Sequence, residues 1–342
     1  MATIVDVARR AGVSTSTVSH VINDTRYVSQ EIRQKVHAAI DELGYQPNVV
    51  ARSLRTRKSR IIGVVVPDIT NPFFTASVRA IEEEASKHEY SMILCDTGEQ
   101  VQQEQKYLNL LISRQVDGII VAPSAQSAPV IASIVEGGTP VVLLDRELPG
   151  MSLDLVECDN ESGAFDAVSY LIERGHSRIC IIAGRVAVST GAQRLAGYKR
   201  AMQEHDLKVD DELIKVGDYR LDLAYQKTRE ALDTPNRPTA MFVCNNQMTL
   251  GAVMAIRDAG LRIPDDISLI GFDDPEWARL MDPPITSVAQ PISQMGTKAA
   301  EILMARLNGS IKSGPSTATL PLYFTERASC RTLNKSLSRR AL

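Results

Sequence analysis

The 342-residue chain is short of aromatic residues, at 5%, and holds one tryptophan and five cysteines. Cys95, Cys158, Cys180, Cys244 and Cys330 stand far apart, with no CxxC and no histidine at ligand spacing. That argues against a structural zinc site or a disulfide framework and fits small buried hydrophobes in a reducing cytoplasm. Long apolar runs are also missing. The stretch Ile61 to Val66 is only strand length and Met1-Ala-Thr-Ile-Val-Asp opens without an apolar segment, so neither a signal peptide nor a membrane span is expected. Common catalytic signatures are absent too: no GxGxxG follows the first strand of the body, and GxxxxGK[ST], HExxH and GxSxG do not occur. What remains is an ordinary globular composition, 44% hydrophobic and 23% charged. It excludes a disordered tail, a collagen-like repeat and a disulfide miniprotein, and at roughly 100 to 200 residues per domain it suggests about two or three domains.

Net charge, formally -3, is small only in sum. Ten of the 38 basic and five of the 41 acidic residues lie within the first sixty, a balance of +5, which leaves 28 against 36, or -8, for the rest. A basic head on an acidic body points to a nucleic-acid module joined to something else.

In the head, Thr3 can cap a helix in which Ile4, Val7 and Ala8 recur at helical spacing, and Gly12 can end it in the left-handed conformation. After a turn at Val13 and Ser14, the segment Ser14 to Asn23 places Val18, Val21 and Ile22 on one face and Thr15, Ser16, Ser19 and His20 on the other. Val28 to Leu43 supplies a third amphipathic helix with Ile32, Val36, Ala39, Ile40 and Leu43 inward. Helix, tight turn and helix is the arrangement that sets small polar side chains in the DNA major groove, although a polar face on a plain helical hairpin reads the same way. Next comes Tyr45 to Arg60. Pro47 can start a helix, and Asn48 to Arg55 gives about two turns with Val49, Val50 and Leu54 unburied. Such a helix is too short to stand alone. Formed against a partner and DNA, it would offer Leu54 as a minor-groove wedge with Arg52, Arg55, Arg57, Lys58 and Arg60 near phosphates; a basic linker explains the charges but not the leucine.

The strings TIVDVARRAGVSTSTVSHVIN and GYQPNVVARSL resemble the LacI/GalR family of bacterial transcriptional repressors, and the similarity runs along essentially the whole chain. STSTVSHVIN is closest to the purine and ribose repressors of that family. The resemblance implies a homodimer on a palindromic operator with a central CpG step, and hinge helices that pair across the dimer. It places Thr15, Ser16 and His20 at bases, Asn23 and Tyr27 near the backbone, and Ala51 and Leu54 on the hinge helix. With Thr3, Ser14, Thr17, Asn48, Arg52 and Arg55, these form the expected DNA-binding set.

From Ile61 the pattern alternates between strands and helices: strands at 61–66, 92–95, 118–121, 140–144, 156–159, 179–183, 213–217, 240–243 and 268–272, with amphipathic helices between them. Apolar runs without alternation predict parallel strands covered on both faces, hence two doubly wound lobes. The expected division is residues 1–46 for the helix-turn-helix domain, 47–60 for hinge helix and linker, and 61–342 for an effector-binding and dimerisation domain. Its first lobe covers about 61–159 and 292–325 and its second about 160–290. Pro291 opens a helix through Leu307, and Leu320 to Arg327 reads as one closing strand. The end, Ser336 to Leu342, reads as a loose tail without a tetramerisation heptad.

Ligands of such folds bind beyond the carboxyl ends of the strands. The residues there, Asp68 to Phe74, Asp96, Asp145-Arg146, Gly184 to Arg194, Asp218-Tyr219, Asn245-Asn246, Phe272 to Asp274 and Gln290, combine amides, carboxylates, guanidinia and aromatics. Such a set suits a sugar, although loops of any α/β protein are polar. The family's effector domain is similar to periplasmic sugar-binding proteins. That resemblance assigns effector binding to Asn71, Phe73, Phe74, Asp145, Arg146, Arg194, Tyr219, Asn245, Phe272, Asp273 and Gln290, and favours a pentose such as ribose. Purine repressors carry an arginine where Val188 stands and an aromatic residue where Arg146 stands, which disfavours a purine. His176, at a helix end, reads as structural, and Trp277 as either a lid on the cleft or packing. No enzyme activity, cofactor or metal is expected. The resulting expectation is a cytoplasmic repressor of a carbohydrate-utilisation operon released by a sugar; a regulator answering a nucleobase or a phosphoprotein, and a sugar-binding protein without DNA function, are the alternatives.

Overall fold

The computed structural model describes residues 2–24, 26–45 and 58–333. It divides into two compact units, 1–59 and 60–342.

The first unit is built from α1 (Ile4–Ala11), α2 (Thr15–Asn23) and α3 (Gln30–Leu43). Thr3 and Asp6 form a reciprocal capping box at α1, and Gly12, at φ 68°, closes it. The Ser14 hydroxyl accepts from the Thr17 N–H at the start of α2, so the turn between the helices is held from both sides. Val7, Val18 and Val36, one from each helix, are fully buried at the centre of a small core with Ala8, Val21 and Ala39. Arg10 on α1 pairs with Glu42 on α3 at 2.7 Å.

The second unit holds two six-stranded sheets. The first contains β1 (Ile61–Val66), β2 (Ser91–Asp96), β3 (Gly118–Val121), β4 (Val141–Leu144), β5 (Asp154–Cys158) and β11 (Thr317–Leu320), in the order β11-β5-β4-β3-β1-β2. The second contains β6 (Ile179–Ala183), β7 (Ile214–Val216), β8 (Ala240–Val243), β9 (Ser268–Phe272), β10 (Thr286–Ala289) and β12 (Tyr323–Thr325), in the order β12-β10-β9-β8-β6-β7. All pairings are parallel except β10 with β12. Helices α4 (Pro72–Lys87), α5 (Val101–Ser113) and α6 (Ala128–Glu136) cover the first sheet; α7 (Asn160–Glu173), α8 (Ser189–Glu204), α9 (Leu221–Leu232) and α10 (Asn246–Asp258) cover the second. Helix α11 (Ile292–Leu307) returns to the first lobe, where Met295, Ala299 and Leu303 join the core of Ile62, Val64 and Val142, and Arg306 clamps both oxygens of Asp154.

One expectation needs correction. Residues 320–327 do not form one strand, and the first lobe does not run to 325. β11 ends at Leu320 in the first sheet, and β12 lies in the second. Pro321 lies between them, and a residue without a backbone N–H cannot continue a ladder, so the chain crosses between lobes there a third time. His176 is structural, as expected: it is buried, its ring nitrogens meet Thr239 Oγ1 at 2.9 Å and the Arg331 carbonyl at 3.1 Å, and burial holds its pKa below the usual value. Trp277 packs against the core of the second lobe and does not line the cleft.

Candidate functional site

Two surfaces carry the expected chemistry. On the first unit, Thr15 and Ser16 are exposed on the first turn of α2, with Thr17 and His20 partly exposed beyond them. Tyr27, in the loop before α3, is 89% exposed, an unusual position for a large side chain that serves only packing. Thr3 and Ser14 spend their hydroxyls on capping, and the Asn23 amide donates back to the Ser19 carbonyl at 2.8 Å. The exposed face of α2 therefore presents short hydroxyl side chains that can reach base edges without holding the helix away. Asn48, Ala51, Arg52, Leu54 and Arg55 lie outside the described residues.

The second surface is a cleft between the lobes of the larger unit, a cavity of about 340 Å³ at the strands' carboxyl ends. Both sheets share the order that places a topological switch beside their first strand, which is where the loops diverge and leave a crevice. Asn71, Phe73, Phe74, Asp145, Arg146, Arg194, Tyr219, Asn245, Asp273 and Gln290 line it. Phe272 does not. The side chain of this last residue of β9 is fully buried and packs edge-on to Phe242, and the Arg194 guanidinium lies 3.7 Å above its ring. It supports a lining residue instead of touching the cavity.

Local backbone conformation brings several groups into the cleft. Glu99, Asp145, Asp218, Tyr219 and Asp273 all have φ between 54° and 70° and all line it. Left-handed backbone is uncommon for residues other than glycine and costs energy that the surroundings must offset, so its concentration at one cavity marks a functional constraint. Gly184, the first residue after β6, is required for a different reason, close approach: a Cβ there would overlap the Tyr219 ring, whose hydroxyl meets Thr190 Oγ1 at 2.8 Å. Gly184→Ala is expected to push Tyr219 into the cavity and abolish effector binding, with the folded secondary structure kept. Calorimetric titration alongside circular dichroism would check both parts.

Hydrogen bonds join the lobes around the cavity. Asn246 Nδ2 of the second lobe donates to Asn71 Oδ1 of the first at 2.8 Å and to Asp273 Oδ2 at 3.2 Å, while Gln290 Nε2 reaches Asp273 Oδ1 at 2.7 Å. Gln247 donates to the Thr70 carbonyl and the Glu147 N–H to the Ser189 hydroxyl. Glu99, unnoticed in the sequence, accepts two bonds from Arg146, at 2.6 and 3.2 Å. The only hint was its place in the short turn that follows β2, three residues after Asp96.

Three buried polar atoms at the cavity have no hydrogen-bond partner in the protein: Asp145 Oδ1, Arg146 Nε and Gln290 Oε1. Leaving such groups unpaired costs about 1–3 kcal/mol each, so their convergence indicates a ligand that supplies the missing bonds. Burial pushes the Asp145 carboxyl up to about 6, against the lowering influence of Arg194 and Arg146. The arrangement can hold hydroxyl groups with carboxylate and amide acceptors and guanidinium donors.

Comparison with known proteins finds a family match within each of the two units. Residues 3–48 match the family described as bacterial regulatory proteins, lacI family, and residues 168–330 match a periplasmic binding protein-like domain. The HTH-type transcriptional repressor PurR of Vibrio atlanticus is 39% identical over 308 residues, spanning 90% of this chain and 92% of the relative. A lac repressor dimer bound to operator and the anti-inducer ONPF superposes with a TM-score of 0.86 at 30% identity, covering 96% of this chain and 99% of that one. A LacI family regulator from Enterococcus faecium with bound ribose gives a TM-score of 0.73 at 31% identity over 80% of this chain and 100% of that one. No described helix is long and apolar enough to cross a membrane. With an exposed hydroxyl-rich α2 on a three-helix unit and a two-lobed α/β body, the chain belongs to the lacI family of bacterial regulatory proteins and is a sequence-specific DNA-binding transcriptional repressor.

Proposed function

We propose that this repressor controls a carbohydrate-utilisation operon as a homodimer and that a small sugar, a pentose such as ribose, occupies the interlobe cleft and releases it from a palindromic operator. The observation that carries the reading is the trio of unpartnered atoms, two acceptors and one donor, facing a cavity at the small end of the roughly 300–1,000 Å³ range of ligand sites. A sugar offers hydroxyls to Asp145 and Gln290 and a ring or hydroxyl oxygen to Arg146. The ribose-bound relative supports the same choice.

A purine nucleobase or nucleoside is the second reading, favoured by the extended similarity to a repressor named PurR. A flat base needs an aromatic face to stack on. Here the Arg146 guanidinium already lies within 6 Å of both the Phe74 and Tyr219 rings, which weighs against it. For the dimer, β2 is an edge strand whose Met92, Ile93 and Leu94 are only half-buried, and Leu110 and Ile112 are exposed on α5. An apolar edge of this kind is normally covered.

Control requires that the effector bind the two dimer states unequally, because a ligand shifts an equilibrium only by its differential affinity. Fluorescence anisotropy on an operator selected from random DNA tests the proposal. Ribose is expected to dissociate the complex. A complex untouched by any pentose but altered by a purine would replace the sugar reading with the nucleobase one.

A further inference from the structure

The cleft is lined by four arginines, and each has partners within the protein. Arg146 takes both oxygens of Glu99. Arg185 holds both oxygens of Asp218, at 2.7 and 3.0 Å, and its Nη1 is 3.7 Å from the Glu99 carboxylate. Arg194 spends Nε on Asn160 and Nη1 on the Cys244 carbonyl, and Arg220 turns outward to Asp222. Five carboxylates face these four guanidinia around the cavity, with Asp145 and Asp273 the most deeply buried.

From this we infer that Glu99 sets the charge class of the effector: by neutralising Arg146 inside the cleft it restricts the site to an uncharged polyol and turns away phosphorylated or carboxylated sugars. The inference rests on the sugar reading of the site. A phosphate needs guanidinium or backbone donors that are not already committed, and bidentate arginine is the strongest of these. Glu99 occupies that fork on Arg146, and its carboxylate side chain is only 16% exposed, so solvent screens it weakly. An incoming dianion would also approach Asp145 and Asp273, and buried like charges repel it with little screening by solvent. The burial that already pushes the Asp145 carboxyl up to about 6 shows how poorly this floor tolerates added negative charge.

Calorimetric titration of the full-length protein with ribose and with ribose 5-phosphate tests the inference. The wild type is expected to prefer ribose at least a hundredfold. Glu99→Gln, which frees Arg146, is expected to narrow that preference at least tenfold, whereas Glu99→Asp, which keeps the charge, retains it. Equal or tighter binding of ribose 5-phosphate by the wild type overturns the inference, as does a Glu99→Gln protein in which both affinities change by the same factor. The wild-type ratio needs no variant to fold. If no sugar binds but a purine nucleoside does, the sugar reading fails by itself, and the nucleoside against its monophosphate then puts the same question to Glu99.

Discussion

Asp145→Asn is expected to weaken sugar binding by about a hundredfold while making the ligand-free protein more stable. On the proposed reading the carboxylate serves the ligand and costs the fold, so the two effects have opposite signs. Its Oδ1 meets nothing in the protein, and Arg146 Nε is 3.9 Å from its Oδ2. A hydrogen bond from a sugar hydroxyl to a buried charge is worth about 1.5–3 kcal/mol, and asparagine accepts it as a neutral group. The left-handed backbone at φ 67° suits asparagine as well as aspartate, and the Asp145 N–H bond to the Val156 carbonyl is untouched. Stability moves the other way. A carboxyl pushed from 3.8 up to about 6 binds its proton more tightly in the folded chain than in the unfolded one. Its contribution is therefore complete below about pH 4 and is lost as pH rises through 6, a loss of at most about 3 kcal/mol at 1.36 kcal/mol per unit. Thermal unfolding from pH 4 to 8 should show that decline in the wild type and a shallower one in Asp145→Asn. Ribose affinity should fall below pH 6 in the wild type alone. A variant that binds ribose normally would remove Asp145 from the site.

Leu54→Ala is expected to lower affinity for the selected operator by about a hundredfold and affinity for random DNA by less than about threefold. Leu54 lies outside the described residues, so the expectation rests on its setting in the sequence. In the sequence this leucine stands amid Arg52, Arg55, Arg57 and Lys58. Inserted at a base step it would offset an unstacking cost of a few kcal/mol by wrapping more protein on bent DNA, an exchange that a deformable central step favours. The neighbouring charges would bind any phosphate backbone, so nonspecific affinity should persist and keep its salt dependence. Equal losses on both DNAs would assign Leu54 to folding of the protein rather than to reading the operator. Gel-shift titrations at one fixed salt concentration decide between them.

Much of this was legible in the chain because the signals are local. The periodicity of Val7, Val18, Val21 and Val36 is that of helices burying one face, and these four are buried together. The alternation of apolar runs with amphipathic stretches anticipated the two parallel sheets, and most of the cleft could be named because doubly wound folds put their loops there. Errors arose where local signals are weak. Phe272 ends a strand, and successive side chains of a strand face opposite sides, so proximity to Asp273 did not decide which way the ring points. β12 has three residues, too few to show which sheet it joins. Glu99 was overlooked because its role depends on Arg146, 47 positions away.

The sequence by itself determined the family, the basic head, the alternation that dictates two lobes and the side-chain types available to a ligand, since each is written in neighbouring residues. Only the tertiary structure decided how those charges are spent. Glu99 on Arg146, Asp218 on Arg185 and Asn246 on Asn71 are pairings between loops 33 to 175 residues apart. No periodicity carries such information. It comes from the packing of two sheets that brings their carboxyl ends face to face, and it leaves Asp145 and Gln290 with unused acceptors.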